Sequence, residues 1–195
     1  MSLLLALVAA YLIGAIPFGV VLTRLTGVGD VRAGGSGNIG ATNVYCTFGR
    51  RLGLLTLICD ALKGLVPVLA AGSLLDFTTA QVALVATAAF LGHCYPVYLG
   101  FKGGKGVATA LGIYLVLSPL SVLGALLLFA GILWRWRYVS LASVSAAAAT
   151  PLLVAALERS WPLVLTTLFI SAMVILRHRA NIERLRNGTE SKFKA

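Results

Sequence analysis

Charged residues are scarce in this chain of 195 residues, making up 11% of it, whereas soluble domains carry roughly 25%. Only six residues are Asp or Glu, so the 16 Lys and Arg residues leave a net charge of +10. Hydrophobic residues account for 59% of the chain. So few charges cannot cover the surface of a soluble domain, and the composition therefore predicts one polytopic membrane domain over residues 1–195.

The chain also has little cysteine and histidine, which excludes several kinds of site. Cys46, Cys59 and Cys94 show neither CxxC spacing nor a His partner, which argues against a zinc site and a disulfide framework. Neither His93 nor His178 begins a His-x-x-x-x-Asp acyltransferase motif, and there is no Gly-x-Ser-x-Gly elbow or His-Glu-x-x-His metal site. Without a catalytic triad, we expect chemistry to come mainly from positioning an already reactive substrate.

Long hydrophobic runs predict seven membrane-spanning helices. The runs cover about 2–23, 52–71, 79–96, 107–134, 138–157 and 162–176. The fourth run carries Ser118-Pro119 near its middle, and proline removes a helix hydrogen bond, so we predict two short helices there. The first run lacks the basic start and the cleavage pattern of a signal peptide, so we predict a retained span.

The distribution of positive charge predicts the topology. Basic residues cluster in the loop 24–51, at Lys102 and Lys105, at Arg135 and Arg137, and from Arg177 onward. Cytoplasmic loops carry an excess of Lys and Arg, and seven crossings place all four clusters on one side. We therefore predict an all-α integral membrane protein, a seven-span helical bundle with its N-terminus outside and its C-terminus cytoplasmic. Topology explains the charge, so we predict no nucleic-acid partner.

Two glycine-rich segments, 34–43 and 100–106, interrupt the hydrophobic runs. The first combines four glycines with the polar residues Ser36, Asn38, Thr42 and Asn43. A loop that feeds a short helix here would direct backbone N–H groups at an anion. Glycine spacing also serves helix packing in membranes, but packing does not require four polar side chains. We therefore interpret the segment as a phosphate site.

The second glycine-rich segment carries two lysines. Lys105 lies between Gly104 and Gly106, where we predict the start of a helix, and its ammonium suits a phosphate. Lys102 fits a phosphate ligand and an ordinary interfacial lysine equally well. The Walker A spacing is absent, which argues against a nucleotide site. We expect the loop 24–51, the loop 97–106 that contains this segment, and the chain from Arg177 onward to meet at the cytoplasmic face.

Two further pairs are three residues apart, which places each pair on one face of a helix. Asp60 and Lys63 lie within a hydrophobic run, and we interpret them as an internal ion pair rather than as catalytic residues. His178 and Asn181 would point the same way if the last helix continues past Arg177. Among basic neighbours His178 fits an anion site, although an ordinary interface histidine remains an equal alternative.

Three strings resemble the motifs of the bacterial acyl-phosphate:glycerol-3-phosphate acyltransferase (PlsY) family: 35–43 (Gly-Ser-Gly-Asn-Ile-Gly-Ala-Thr-Asn), 92–109, and 178–182 (His-Arg-Ala-Asn-Ile). The stretch 60–64 (Asp-Ala-Leu-Lys-Gly) resembles the family's second span. The resemblance implies acyl transfer from acyl phosphate to the 1-hydroxyl of sn-glycerol 3-phosphate, giving 1-acyl-glycerol 3-phosphate (lysophosphatidate) and phosphate, the first step of bacterial phospholipid synthesis. It implies no metal and no organic cofactor.

The resemblance also implies the partners and the location. The substrates would be acyl phosphate and glycerol 3-phosphate, and the protein would lie in the lipid bilayer. No obligate protein partner is evident. The protein would be a multi-pass protein of the bacterial inner (plasma) membrane, with its active site facing the cytoplasm.

The resemblance assigns a role to each motif residue. The catalytic residues would be Ser36, Lys105, His178 and Asn181, arranged around glycerol 3-phosphate and the reacting carbonyl. The remaining motif residues would bind substrate, chiefly the acyl phosphate: Asn38, Thr42, Asn43, Gly103, Gly104 and Gly106. The general base would be either His178 or a phosphate oxygen of the donor.

One residue departs from the family pattern: Cys46 stands where the family usually has arginine. A cysteine cannot replace a bidentate guanidinium contact to phosphate. Two other functions also remain open. A transporter of phosphorylated metabolites is disfavoured by the small size and the lack of internal repeats, and a membrane scaffold would use the motifs for helix packing alone.

Overall fold

The computed structural model describes residues 2–193, and every α-helix in that range follows a hydrophobic or motif segment of the sequence. The α-helices are α1 (Leu3–Ala15), α2 (Phe18–Leu25), α3 (Ala41–Phe48), α4 (Arg50–Ser73), α5 (Thr79–Cys94), α6 (Val107–Leu117), α7 (Pro119–Trp136), α8 (Val139–Glu158), α9 (Trp161–Arg177) and α10 (Arg179–Arg186). Short 3₁₀ turns cover Val31–Ala33 and Val97–Leu99. Residues 2–193 contain no β-strand, which confirms the all-α prediction.

Several of these helices have the length and composition of membrane spans. Within the described part of the chain, four helical segments are each long and apolar enough to cross a membrane: α4, Thr79–Leu99, α7 and α8. The number of spans rises to six if each of the bent pairs α1–α2 and α9–α10 is counted as one span. Helix α6 is a shorter apolar helix. Large apolar side chains are exposed along α7, among them Leu120, Leu123 and Leu127. Such a surface is stable in lipid, as expected for an integral membrane protein.

The predicted division of the long hydrophobic run is confirmed. Helix α6 ends at Leu117 and α7 begins at Pro119, because the proline ring has no N–H to continue the first helix but suits the first position of the second. Ser118 Oγ lies 2.6 Å from both Ser121 Oγ and Glu158 Oε1. Since the carboxylate only accepts, Ser118 donates to it and ties the start of α7 to the end of α8.

The first hydrophobic run, which is predicted as one span over residues 2–23 with Pro17 inside it, consists of two helices. Helix α1 ends at Ala15, α2 begins at Phe18, and the two helices bend by 47°. Pro17 lies at the break, where its ring prevents the helix hydrogen bond. The side chain of Lys63 crosses from α4 and donates to the carbonyl oxygen of Ile16 at 2.7 Å, so this carbonyl at the break accepts from Lys63 as well as from the Phe18 amide at 3.1 Å.

The chain divides into two compact units between Val116 and Leu117. In the first unit α1 packs against α5 and α4. Glycines allow the helices of this unit to approach closely. A Cβ atom on Gly14 of α1 would overlap the backbone of Ala89 in α5, and one on Gly64 of α4 would overlap that of Thr109 in α6. In the second unit α8 packs against both α7 and α9, and α10 contacts α8 and α9.

Candidate active site

Asn43 organises the first glycine-rich segment from a buried position in the first turn of α3. Its side-chain Nδ2 lies 3.0, 3.2 and 2.8 Å from the carbonyl oxygens of Val31, Gly34 and Asn38, and its Oδ1 accepts from the Ser36 amide at 2.9 Å. One amide group therefore closes the loop that precedes it. These contacts all lie within the loop, and the predicted contact of Asn43 with acyl phosphate stays a prediction.

The loop presents Ser36 and Thr42 at its surface. Gly35 and Gly37 have φ angles of 58° and 68°, a left-handed backbone that favours glycine. A Cβ atom on Gly35 would also overlap Oδ1 of Asn43. Ser36 is exposed between these two glycines, and Thr42 is exposed in the first turn of α3. The predicted short helix after the glycines is confirmed, because α3 begins directly after Gly40.

An apolar cluster lies under this loop and joins it to the second glycine-rich segment. Its buried and partly buried members are Val20, Val31, Ile39, Val44, Phe48, Leu52 and Leu99. Leu99 belongs to the 3₁₀ turn in the loop 97–106, directly before the second segment, whereas most of the others lie in the loop 24–51. The predicted meeting of the loops 24–51 and 97–106 is confirmed within the first unit. The third segment, from Arg177 onward, belongs to the second unit.

The glycines of the second segment fit against the end of α5. The Gly104 amide donates to the His93 carbonyl at 3.1 Å. A Cβ atom on Gly103 would overlap the His93 carbonyl, one on Gly104 the His93 imidazole, and one on Gly106 the Phe90 ring. Gly106 also has a φ angle of 80°. Packing within the chain therefore requires these glycines, a reason that the sequence did not reveal.

Lys105 lies where the sequence predicts it, just before the first turn of α6. It is half-buried between Gly104 and Gly106, whereas Lys102 in the same segment is exposed. The backbone on both sides of Lys105 is fixed by the glycine contacts with α5. An ammonium group so placed, beside the N-terminus of a helix, has the charge and position to hold a phosphate or a developing oxyanion.

The predicted internal ion pair is present beneath this segment. Asp60 Oδ1 and Lys63 Nζ are 2.7 Å apart, and both residues are buried in α4. The same carboxylate oxygen lies 3.9 Å from Nδ1 of His93. Spacing along one helix was enough to predict the pair. Its neighbours are His93 of α5 and Ile16 at the break after α1, and neither contact left a signal in the sequence.

In the second unit, His178 lies at a bend between two helices. The helical continuation assumed from the spacing of His178 and Asn181 is bent by 56°, because α9 ends at Arg177 and α10 begins at Arg179. His178 is buried, and its Nδ1 lies 2.8 Å from the Val174 carbonyl oxygen. Since a carbonyl only accepts, Nδ1 carries the hydrogen. A neutral His178 then has its lone pair on Nε2, the atom that a general base uses.

Glu190 is a partner of Asn181 that the sequence did not predict. Its carboxylate accepts from Asn181 Nδ2, Ser140 Oγ and Arg184 Nε, each at 2.6 Å. Burial alone raises the pKa of Glu190, but the hydrogen bonds and the Arg184 charge outweigh it, so the pKa lies below its ordinary value. The Asn181 side chain thereby links α10 to the segment that follows it.

We predict that Glu190 contributes stability that is lost in acid. Because the folded state lowers its pKa, this contribution is present above the ordinary value of 4.5 and disappears as the pH falls through the lower folded value. Glu190→Gln should therefore reduce the thermal midpoint at neutral pH and flatten its decline below pH 4.5. The measurement is thermal unfolding in detergent across pH.

The control for this prediction is Glu183→Gln, which changes an exposed carboxylate on α10. This variant should follow the wild-type profile. The comparison also removes the contribution of Asp30, whose pKa is lowered chiefly by a hydrogen bond from Arg32, because Asp30 is present in all three proteins. A Glu190→Gln profile parallel to that of the wild type would contradict the prediction.

Comparison with known proteins agrees with these observations. The family described as Glycerol-3-phosphate acyltransferase matches residues 4–188. Proteins named glycerol-3-phosphate acyltransferase from Syntrophotalea carbinolica and Geobacter sulfurreducens are 66% and 62% identical, over 100% and 95% of this chain and 99% and 95% of theirs.

The fold also matches a solved structure along its whole length. The crystal structure of PlsY, an integral membrane glycerol 3-phosphate acyltransferase, in its glycerol 3-phosphate form superposes with a TM-score of 0.94 at 42% identity, covering 100% of this chain and 96% of that one. The lysophosphatidic acid form gives a TM-score of 0.92. These identities and the near-complete coverage show the family, and this chain belongs to the glycerol-3-phosphate acyltransferases of the PlsY type.

Proposed function

We propose that this acyltransferase moves a fatty acyl group from acyl phosphate to the 1-hydroxyl of sn-glycerol 3-phosphate, releasing lysophosphatidate and inorganic phosphate. The observation that carries the proposal is the match over the whole chain to PlsY, which was solved in a glycerol 3-phosphate form and in a lysophosphatidic acid form. These two molecules differ by one acyl group, so they are the acceptor and the product of a single transfer.

The proposed donor follows from the resemblance to the PlsY family, and the chemistry that the chain lacks agrees with it. Its two histidines stand outside any acyltransferase triad motif, and it has no nucleophile elbow, as suits a donor that is already activated. An acyl phosphate is a mixed anhydride with phosphate as a good leaving group, and it needs positioning more than covalent activation. A donor and an acceptor that both carry phosphate also account for two glycine-rich segments with cations close by.

In the proposed reaction the acceptor oxygen bonds to the acyl carbonyl carbon, and the bond between that carbon and the phosphate oxygen breaks. The Lys105 ammonium stabilises the negative charge that develops on oxygen, an interaction that often supplies the largest part of catalysis. The proton of the hydroxyl group passes either to His178 or to a phosphate oxygen of the donor. Phosphate leaves with the electron pair of the broken bond.

We assign the remaining motif residues to the same reaction. Ser36 and Asn181 act with Lys105 and His178 on glycerol 3-phosphate and the carbonyl. The residues assigned to substrate binding, chiefly to the acyl phosphate, are Asn38, Thr42, Asn43, Gly103, Gly104 and Gly106. The exposure of Ser36 and Thr42 on the Asn43-closed loop supports a direct role for these two hydroxyl groups.

We further propose that residues 1–195 act as one seven-span domain of the bacterial inner membrane. Counting each bent helix pair once and adding α6 to the four long spans gives seven. The basic loops then favour an N-terminus outside, a C-terminus in the cytoplasm and an active site that faces the cytoplasm. Reactivity of single introduced cysteines with a membrane-impermeant thiol reagent, from either side of the membrane, tests this orientation.

The test of the function is phosphate release by the purified protein given palmitoyl phosphate, with and without glycerol 3-phosphate. The proposal predicts release that requires the acceptor, together with an equal amount of lysophosphatidate. A folded protein that forms no lysophosphatidate would overturn the proposal. Uptake of labelled glycerol 3-phosphate into proteoliposomes without a donor would instead favour a transporter.

We predict that Cys46→Arg lowers the KM for glycerol 3-phosphate. Cys46 is exposed on α3, the helix that begins directly after the glycine loop, so an arginine there restores a charge-assisted phosphate contact that the family usually has. Such a contact is worth about 1.5–3 kcal/mol, which corresponds to a KM roughly tenfold lower or more. The control is Cys46→Gln, which adds length without charge. An unchanged or raised KM for Cys46→Arg would contradict the prediction.

A further inference from the structure

Four buried polar residues in the first unit take no part in the proposed reaction. Asp60, Lys63, His93 and Thr109 come from α4, α5 and α6, and each is 3% exposed or less. Burying such groups costs free energy unless they are paired, and a buried ion pair is weak evidence for stability alone. What these residues contact therefore indicates what they do.

The contacts form a chain that leads to His93. Lys63 Nζ pairs with Asp60 Oδ1 at 2.7 Å and donates to the Ile16 carbonyl at 2.7 Å. The same Asp60 oxygen lies 3.9 Å from His93 Nδ1, and Thr109 Oγ1 lies 3.1 Å from that nitrogen. The Nδ1 edge of the imidazole is thus hydrogen-bonded to the first turn of α6, while the Asp60 carboxylate of α4 lies nearby but beyond hydrogen-bond distance.

The opposite edge of the ring lies against the glycine-rich segment. A Cβ atom on Gly104 would overlap Nε2 of His93, and the Gly104 amide donates to the His93 carbonyl at 3.1 Å. Both the side chain and the main chain of His93 therefore contact Gly104. The next residue along the chain is Lys105.

We propose that His93 is a positioning residue of the acyltransferase. Hydrogen-bonded to Thr109 and lying beside the Asp60–Lys63 pair, its ring fixes the backbone at Gly104 and so places the Lys105 ammonium for phosphate. His93 itself does not touch the substrate. The kinetic part of this proposal rests on the proposed function, whereas its structural part, the fixing of the loop backbone by the ring, does not.

The experiment compares two amides that each reproduce one edge of the imidazole. Asparagine places a polar atom near Nδ1 and keeps the contact with Thr109, but it leaves a gap beside Gly104. Glutamine reaches the Nε2 position. His93→Asn should speed backbone hydrogen exchange in the peptide 100–107 and raise the KM for the phosphate substrates by about tenfold, an effect within the range of coupled contacts. His93→Gln should recover most of both losses.

A second pair of variants tests the contact itself. Gly104→Ala brings a methyl group against the ring and should inactivate the enzyme. In the His93→Asn background the gap admits that methyl group, so Gly104→Ala should cost at least tenfold less there. Such non-additivity is a property of residues in contact, whereas a purely structural histidine would show additive losses that follow the thermal midpoint.

The two proposals fail in different ways. Failure of the wild-type protein to form lysophosphatidate overturns the proposed function, while hydrogen exchange in 100–107 still reports on the role of His93. Unchanged exchange in that peptide for His93→Asn, or additive losses in the double variant, overturns the positioning role even if the enzyme is active. Faster exchange in 100–107 at an unchanged thermal midpoint, with rescue by His93→Gln, supports it.

Discussion

Replacing Lys105 by alanine should lower turnover by roughly 10²–10³-fold, the loss that follows removal of one preorganised group that stabilises a developing oxyanion. Lys105 is half-buried between two glycines whose backbone is fixed against α5. The backbone that carries Lys105 is therefore set before substrate binds, and it needs little reorganisation during the reaction. The measurement is phosphate release from palmitoyl phosphate at saturating glycerol 3-phosphate.

The same segment supplies a matched control. Lys102→Ala removes an equal charge from an exposed position, so it changes the general electrostatic field around the segment but leaves the Lys105 ammonium in place. We expect this variant to keep turnover within a few-fold of the wild type. Comparable losses in the two variants would show that Lys105 acts only through net charge, and full activity of Lys105→Ala would refute its catalytic assignment.

Lys63→Ala should lower the free energy of unfolding by about 3–5 kcal/mol, because removing one partner leaves the other charge buried and uncompensated. The Asp60 carboxylate would lose its ammonium partner, 2.7 Å away. The Ile16 carbonyl at the break between α1 and α2 would lose one of its two donors as well, keeping the Phe18 amide. Thermal or denaturant unfolding in detergent measures the loss.

The double variant Asp60→Leu/Lys63→Met separates the loss of pairing from the loss of packing. Replacing a whole buried ion pair by apolar side chains of similar volume is often nearly neutral, so the double variant should be more stable than Lys63→Ala. A single variant as stable as the wild type would contradict the prediction. If the double variant is stable but less active, the pair acts on the glycine-rich segment as proposed.

The glycines of the second segment show that a glycine-rich motif can be required by packing as well as by anion binding. The sequence favours a phosphate site there because glycine lets a backbone approach an anion closely. The structure adds a requirement that is independent of any ligand, since side chains at Gly104 and Gly106 would overlap His93 and Phe90. A glycine-rich loop can therefore be fixed by the protein's own packing, and that same packing fixes the backbone on both sides of the neighbouring lysine.

Much of this protein could be predicted from the sequence because the responsible interactions are local. Hydropathy over a window predicts apolar helices, and Pro119 divides α6 from α7 through its missing N–H. The spacing of Asp60 and Lys63 places both on one face of α4. The short helix after Gly40 and the position of Lys105 before α6 follow from the same kind of local pattern.

Only the tertiary structure decided which residues support the candidate site. Asn43 closes a loop through the carbonyl groups of residues up to twelve positions away, Glu190 reaches Ser140 fifty residues earlier, and Lys63 meets Ile16 across 47 positions. No periodicity or motif in the sequence predicts such contacts. They form when separate segments of the chain pack together and their buried polar groups must be hydrogen-bonded. The sequence by itself therefore determined the helices and the chemical character of the motifs, while the packing of those helices determined which side chains hold the motifs in place.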